Sequence, residues 1–169
     1  MRPAPERRTS PPQIDIQRES PLWEAQPMAA QIVNDAIAAA ASELSTVGGE
    51  VSIVLTDDSV IARLNRDWRW IDKPTNVLSF PASDHTGHEG TRLLGDIVIA
   101  YQTLERECED ENWVFLHHLA HLTIHGFLHL SVYDHQTDTQ AEEMEALESK
   151  IMSRLNMPDP YLARDLGDT

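Results

Sequence analysis

Residues 112–135 read NWVFLHHLAHLTIHGFLHLSVYDH and hold six of the eight histidines in a chain of 169 residues. On an α-helix, at 3.6 residues per turn, His118, His121, His125 and His129 share one face within an arc of roughly 80°. Trp113, Leu116, Ala120, Ile124, Phe127 and Leu128 fill the other directions. A helix that is apolar nearly all round is a buried one. Buried imidazoles need partners, and a metal ion partners several at once. His125 and His129 lie one turn apart, about 5–6 Å at the helix surface. Two such rings can converge on one ion at a metal–nitrogen distance of about 2.0–2.1 Å. His135 follows six residues later, past a segment where the helix can end and the chain fold back. Three imidazoles with one open position make a catalytic site, not a structural one. The spacing therefore points to His125, His129 and His135. The triple His121, His125 and His135 contains the same one-turn pair and stays open on geometry. His118, a rise of roughly 10 Å from His125, is too far to share its ion. His117, His118 and His121, taken singly, read as packing residues or as groups that support the ligands.

The position after His125 narrows the chemistry. Zinc peptidases of the HExxH kind carry their general base there. Here it is Gly126, which moves no proton and suggests close packing against a neighbour.

HGFLHLSVYDH, preceded by HLTI and followed by AEEMEALESKIM, closely resembles the YbeY family of bacterial rRNA-maturation factors. Two further blocks match in the right order, LNRDWRWIDKPTNVLSFP (Leu64 to Pro81) and LLGDIVIA (Leu93 to Ala100). The resemblance implies a metal-dependent, single-strand-specific endoribonuclease acting in 16S rRNA 3′-end maturation and ribosome quality control. It places zinc ligands at His125, His129 and His135 and a characteristic arginine at Arg69, with His125 and Arg69 the catalytic pair. The implied partners are single-stranded rRNA, the small ribosomal subunit and its assembly factors, with no DNA and no membrane. One departure is Val132, where the family usually has Gly; valine disfavours positive φ, so the turn before His135 is built without a left-handed residue or differently. Two rivals remain: a zinc hydrolase of another class, a peptidase above all, and a ribosome-assembly binding factor whose metal is structural.

The formal net charge of -15 excludes a general phosphate-neutralising coat, so RNA contact needs a local positive patch. Arg63, Arg66, Arg69 and Lys73 supply the densest one, on a helix expected from Asp58 to about Trp70 and capped by Asp57 or Asp58. Ile61, Leu64 and Trp68 form its expected inward face. The single cysteine, Cys108, permits no intramolecular disulfide and suits a cytoplasmic setting. It reads as a packing residue. No apolar run is long enough to span a bilayer.

Length predicts one domain: a disordered extension over residues 1–12, a metal-hydrolase domain over 13–156 and a tail over 157–169. Strands are expected at Ile14 to Gln17, Glu50 to Asp57, Val77 to Pro81 and from Leu93, the last central because its apolar run is nearly continuous. Helices are expected at Ala29 to Leu44 and Thr103 to Glu111. Another follows His135, with Met144, Leu147, Ile151 and Leu155 inward and its glutamates solvated. PLWEAQP reads as a loop, and His85 and His88 as solvated loop residues. Asp96 is either a turn carboxylate or a buried acceptor. Asp134 is a group that could orient a ligand, and Tyr161 and Leu162 could pack the tail. The fold class is α+β: a mixed sheet of about four strands with surrounding helices, the metal site on the histidine helix and the turn after it.

Overall fold

The computed structural model describes residues 10–82, 92–131, 133 and 135–162. Expectations for residues 1–9, His85, His88, Val132, Asp134 and residues 163–169 lie outside these. Four strands, β1 (Gln13–Arg18), β2 (Glu50–Thr56), β3 (Val77–Pro81) and β4 (Leu93–Ala100), form one sheet in the order β1-β2-β4-β3. β1 and β4 both run parallel to β2, and β3 is antiparallel to β4. The sheet is mixed, and β4 is interior, as its apolar run predicts. β3 is an edge strand, where Pro81 removes no ladder bond that another strand needs. The residues just before β1 are already packed: the Ser10 carbonyl accepts from the Gly48 amide, and Pro12 is buried.

Among the described residues five α-helices surround the sheet: α1 (Ala29–Glu43), α2 (Asp58–Arg69), α3 (Tyr101–Glu111), α4 (Phe115–Leu130) and α5 (Asp138–Arg154). Alternation along β4 sends side chains to both faces. Ile97 and Ile99 join Val33, Ile37, Leu119, Ile124 and Phe127 in the main core. Val98 and Ala100 join Ile61 of α2 and Leu78 of β3 in a smaller core on the opposite face. The PLWEAQP segment is more than a loop, because Pro21–Ala25 makes a short 3₁₀ turn that buries Trp23. Its indole donates to the Thr56 carbonyl at 2.8 Å, at the end of β2. The histidine helix starts later than the wheel suggests. Asn112 ends α3 in the left-handed conformation (φ 56°), which leaves Trp113 and Val114 before α4. Trp113 instead lies against the His118 ring.

α4 is seated closely on the sheet, and Gly126 makes this possible. A methyl group there would lie 2.9 Å from Ile97 Cγ2 and 3.0 Å from Ser79 Oγ. Ser79 Oγ also donates to the Gly126 carbonyl at 3.0 Å, which ties β3 to the turn that carries His125. The other end of α4 is tied through a carboxylate. Glu107 of α3 receives His118 Nε2 at 3.0 Å and Asn76 Nδ2 at 2.9 Å. Burial would raise the Glu107 carboxyl, but those two partners hold it below the ordinary carboxylate range.

Two outcomes test this seating. Gly126→Ala should lower unfolding free energy by about 1 kcal/mol, because overpacking costs about 1–3 kcal/mol and exceeds the roughly 1 kcal/mol gained in helix propensity; urea titration reads this directly. The Glu107 contribution is present above the ordinary carboxylate pKa of about 4.3 and is lost as pH falls through the lower folded value. Glu107→Gln should therefore depress Tm near neutrality, and the gap from the parent should narrow as melts are repeated at increasingly acid pH.

Candidate metal centre

α4 presents His125 and His129 one turn apart, with their Nε2 atoms 3.1 Å from each other. His135, beyond the end of the helix, turns back so that its ring centroid is 5.0 Å from that of His129 and 5.8 Å from that of His125. One nitrogen from each of the three falls within 4.8 Å of the others. Ligands on a tetrahedral ion at about 2.05 Å would sit about 3.4 Å apart, so closing on an ion takes only small ring rotations. Among the described residues no fourth histidine, cysteine or carboxylate joins this group. His125 is half-buried and His135 exposed, so the trio has a buried side and a solvent side.

The tautomer of His125 follows from its other nitrogen. His125 Nδ1 lies 2.8 Å from Glu148 Oε1, and a carboxylate can only accept, so Nδ1 carries the proton. Nε2 is then the lone-pair nitrogen facing the trio, the state in which imidazole binds a metal. Glu148 is 1% exposed. Its second oxygen meets His121 Nε2 at 2.5 Å and accepts from the Tyr161 hydroxyl. Burial alone would raise this carboxyl, but the hydrogen bonds from His121 and His125 outweigh it and hold it below the ordinary carboxylate range. His121 therefore supports the carboxylate and does not enter the trio, and the alternative triple is not assembled. His118 is engaged with Glu107 at the far end of the same helix face.

The trio opens into a cleft of about 950 Å³ that also takes in Trp68, Arg69, Asn76, Ser79 and Tyr133. Arg69, the last residue of α2, stands on this cleft, and among the described residues no carboxylate pairs with it. Arg63 and Arg66 are outside the lining, and exposed Arg66 pairs with Asp67 at 3.3 Å. Gly126 packs on the sheet, where a side chain would press on Ile97 and Ser79. The position that serves HExxH peptidases therefore carries no proton-transferring group here.

A family described as Endoribonuclease YbeY matches residues 13–156 of this sequence. The chain belongs to the YbeY family. The Endoribonuclease YbeY of Bradyrhizobium sp. strain BTAi1 is 50% identical over 163 residues, covering 93% of this chain and 96% of its own. That of Nitrobacter hamburgensis is 51% identical over 160 residues, covering 91% and 84% respectively. The solution structure of TM1509 from Thermotoga maritima aligns with 85% of this chain and 92% of its own at 24% identity, with a TM-score of 0.48.

Within this YbeY-family chain, two residues depart from the sequence expectation. Glu148 was expected on a solvated face and is instead the buried hub of the site. The signal was present: Glu148 lies four residues from both Met144 and Met152, and both are buried. Trp68 was expected inward and is 68% exposed. Its ring meets Phe80 edge-on, with centroids 5.9 Å apart, and lines the cleft. Of the remaining groups, Tyr161 is fastened to Glu148 while Leu162 is exposed. Asp96 is neither a turn carboxylate nor a buried acceptor: it is exposed within β4 and lines a separate cavity with Asp15 and Glu50. Cys108 is buried, and burial with neighbouring glutamates pushes its thiol up to about 11, so it is inert.

Glu148→Gln keeps the shape but replaces one acceptor oxygen with a donor. It should weaken retention of a bound divalent ion by about 10–100-fold. Competition with a chromogenic chelator gives the number, and circular dichroism should remain that of the parent.

Proposed function

We propose that this chain is a metal-dependent, single-strand-specific endoribonuclease of rRNA maturation and ribosome quality control, working in the cytoplasm on the 3′ end of 16S rRNA. The reading rests on one observation above all: three imidazole nitrogens converge beside a solvent-open cleft that also holds a cationic guanidinium. The name Endoribonuclease YbeY, carried by relatives about half identical over nearly the whole chain, supports it. His125, His129 and His135 would hold the ion, with Zn²⁺ suited to an all-nitrogen set, although nickel or copper suits imidazoles equally well by intrinsic affinity. A bound ion of this kind would supply Lewis acidity toward a phosphoryl oxygen and acidify water near neutral pH, chemistry that serves phosphodiester hydrolysis.

The protein's own groups have separable tasks. Glu148 fixes the His125 ring and keeps its proton on Nδ1. Arg69 offers a planar, permanently charged fork to the phosphodiester and answers the charge that builds on its non-bridging oxygens. Trp68 and β3 shape the groove through which a strand would pass. The overall acidity opposes long-range attraction of RNA, so delivery by the small ribosomal subunit and its assembly factors fits this chain better than capture of free RNA.

His129→Ala should abolish both metal content, by elemental analysis, and cleavage of a single-stranded RNA, while leaving the fold in place. Arg69→Ala should retain the metal and lose cleavage by about 10²–10³-fold. An arginine variant that cuts at the parental rate would remove Arg69 from its assigned role. Cleavage that persists under chelation would remove the metal.

A further inference from the structure

Two tryptophans flank Arg69 in the sequence, and both rings are exposed. Trp68 is 68% exposed and lines the cleft, and Trp70 is 92% exposed. Trp70 also holds a left-handed backbone, φ 62°, at the end of α2. A bulky residue in that conformation is an outlier, and here its ring gains no burial in return. Trp68 is not loose, because the Phe80 ring abuts it edge-on. A large exposed ring lining a functional groove, as Trp68 does, marks a binding surface.

We infer that Trp68 is a stacking platform for an unpaired nucleobase of a single-stranded RNA whose phosphate is held by Arg69. This rests on the nuclease reading and specifies how that site recognises its substrate. The charge balance favours this occupant. With a net charge of -15, the chain has only a small local patch from which to draw affinity by counterion release, which grows with the number of lysines and arginines on phosphates. Stacking supplies affinity without charge, and every base has a face to offer. It also selects for single strands, since bases within a duplex already stack on both sides and cannot reach an external ring. A platform one residue from the phosphate-binding arginine places base and phosphate of one strand on neighbouring side chains. Such recognition is tolerant of base identity and demanding of unpaired structure.

The test compares the parent with Trp68→Ala and Trp68→Phe on a fluorescein-tagged oligouridylate and on an abasic oligomer of the same length. Anisotropy is measured in a His129→Ala background, and initial cleavage rates in the metal-loaded protein. Trp68→Ala should weaken binding and raise KM for oligouridylate about tenfold, the usual scale for one stacked base, with kcat little changed. Phenylalanine should recover most of the loss, and the abasic strand should not distinguish the variants. The platform is overturned if Trp68→Ala binds oligouridylate as the parent does, or if the parent has no preference for the base-bearing strand. Ring-dependent binding by a metal-loaded parent that cuts no RNA would uphold the platform and remove the nuclease reading. Cleavage with a KM indifferent to Trp68 would do the reverse.

Discussion

Glu148 sits between His121 and His125 with almost no access to water, and the chemistry of the cleft depends on that placement. A buried carboxylate without partners would be protonated or would destabilise the fold. With two imidazoles and the Tyr161 hydroxyl around it, it remains ionised and acts as a fixed acceptor. Its effect on His125 is directional. By taking the Nδ1 proton it leaves the other nitrogen as a lone pair aimed at His129. Without the carboxylate, His125 could present either nitrogen, and the trio would be defined in position but not in protonation.

The carboxylate in turn depends on how α4 is seated. Gly126 lets the helix approach Ile97 and Ser79 closely, and Glu107 and His118 hold the opposite end. α5 then packs across α4 through Met144, Ile151 and Met152, and Glu148 lies within this apolar stripe. One carboxylate amid methionine and isoleucine side chains explains both its low exposure and the strength of its hydrogen bonds, since a low local dielectric amplifies each. The tail adds a last constraint. Asp159 accepts from the Tyr161 amide at 2.9 Å and from the Ser149 hydroxyl at 2.8 Å, which brings the Tyr161 ring over His121.

Much of this was legible in the sequence because it is local. The His125–His129 pair is a one-turn relation that any helix satisfies, and the alternation in β2 and β4 is equally short-range. The order β1-β2-β4-β3 was not legible, since it depends on contacts between distant segments. Glu148 was missed for a related reason: a glutamate among glutamates looks solvated until a second helix covers it. Trp68 failed in the opposite direction. Its spacing of four from Leu64 continues an apolar stripe, but α2 ends at the next residue, before the left-handed turn at Trp70. Pattern alone gives such a ring an inward place, whereas here it meets the edge strand and faces the cleft.

These two misreadings concern the same division of labour. Periodicity assumes that apolar groups are inward and charged groups outward, and the fold inverts the rule at both sides of the cleft. On one side a carboxylate is buried so that an imidazole is oriented. On the other an indole stays in water beside a guanidinium that no carboxylate among the described residues neutralises. Each inversion costs stability, the first through desolvation and the second through unburied apolar area. Costs of this kind are tolerated where a site needs them. Their meeting at one cleft, on elements drawn from α2, β3, α4 and α5, is a stronger sign of where this molecule acts than the histidines alone, because a histidine-rich helix could equally have been a structural staple.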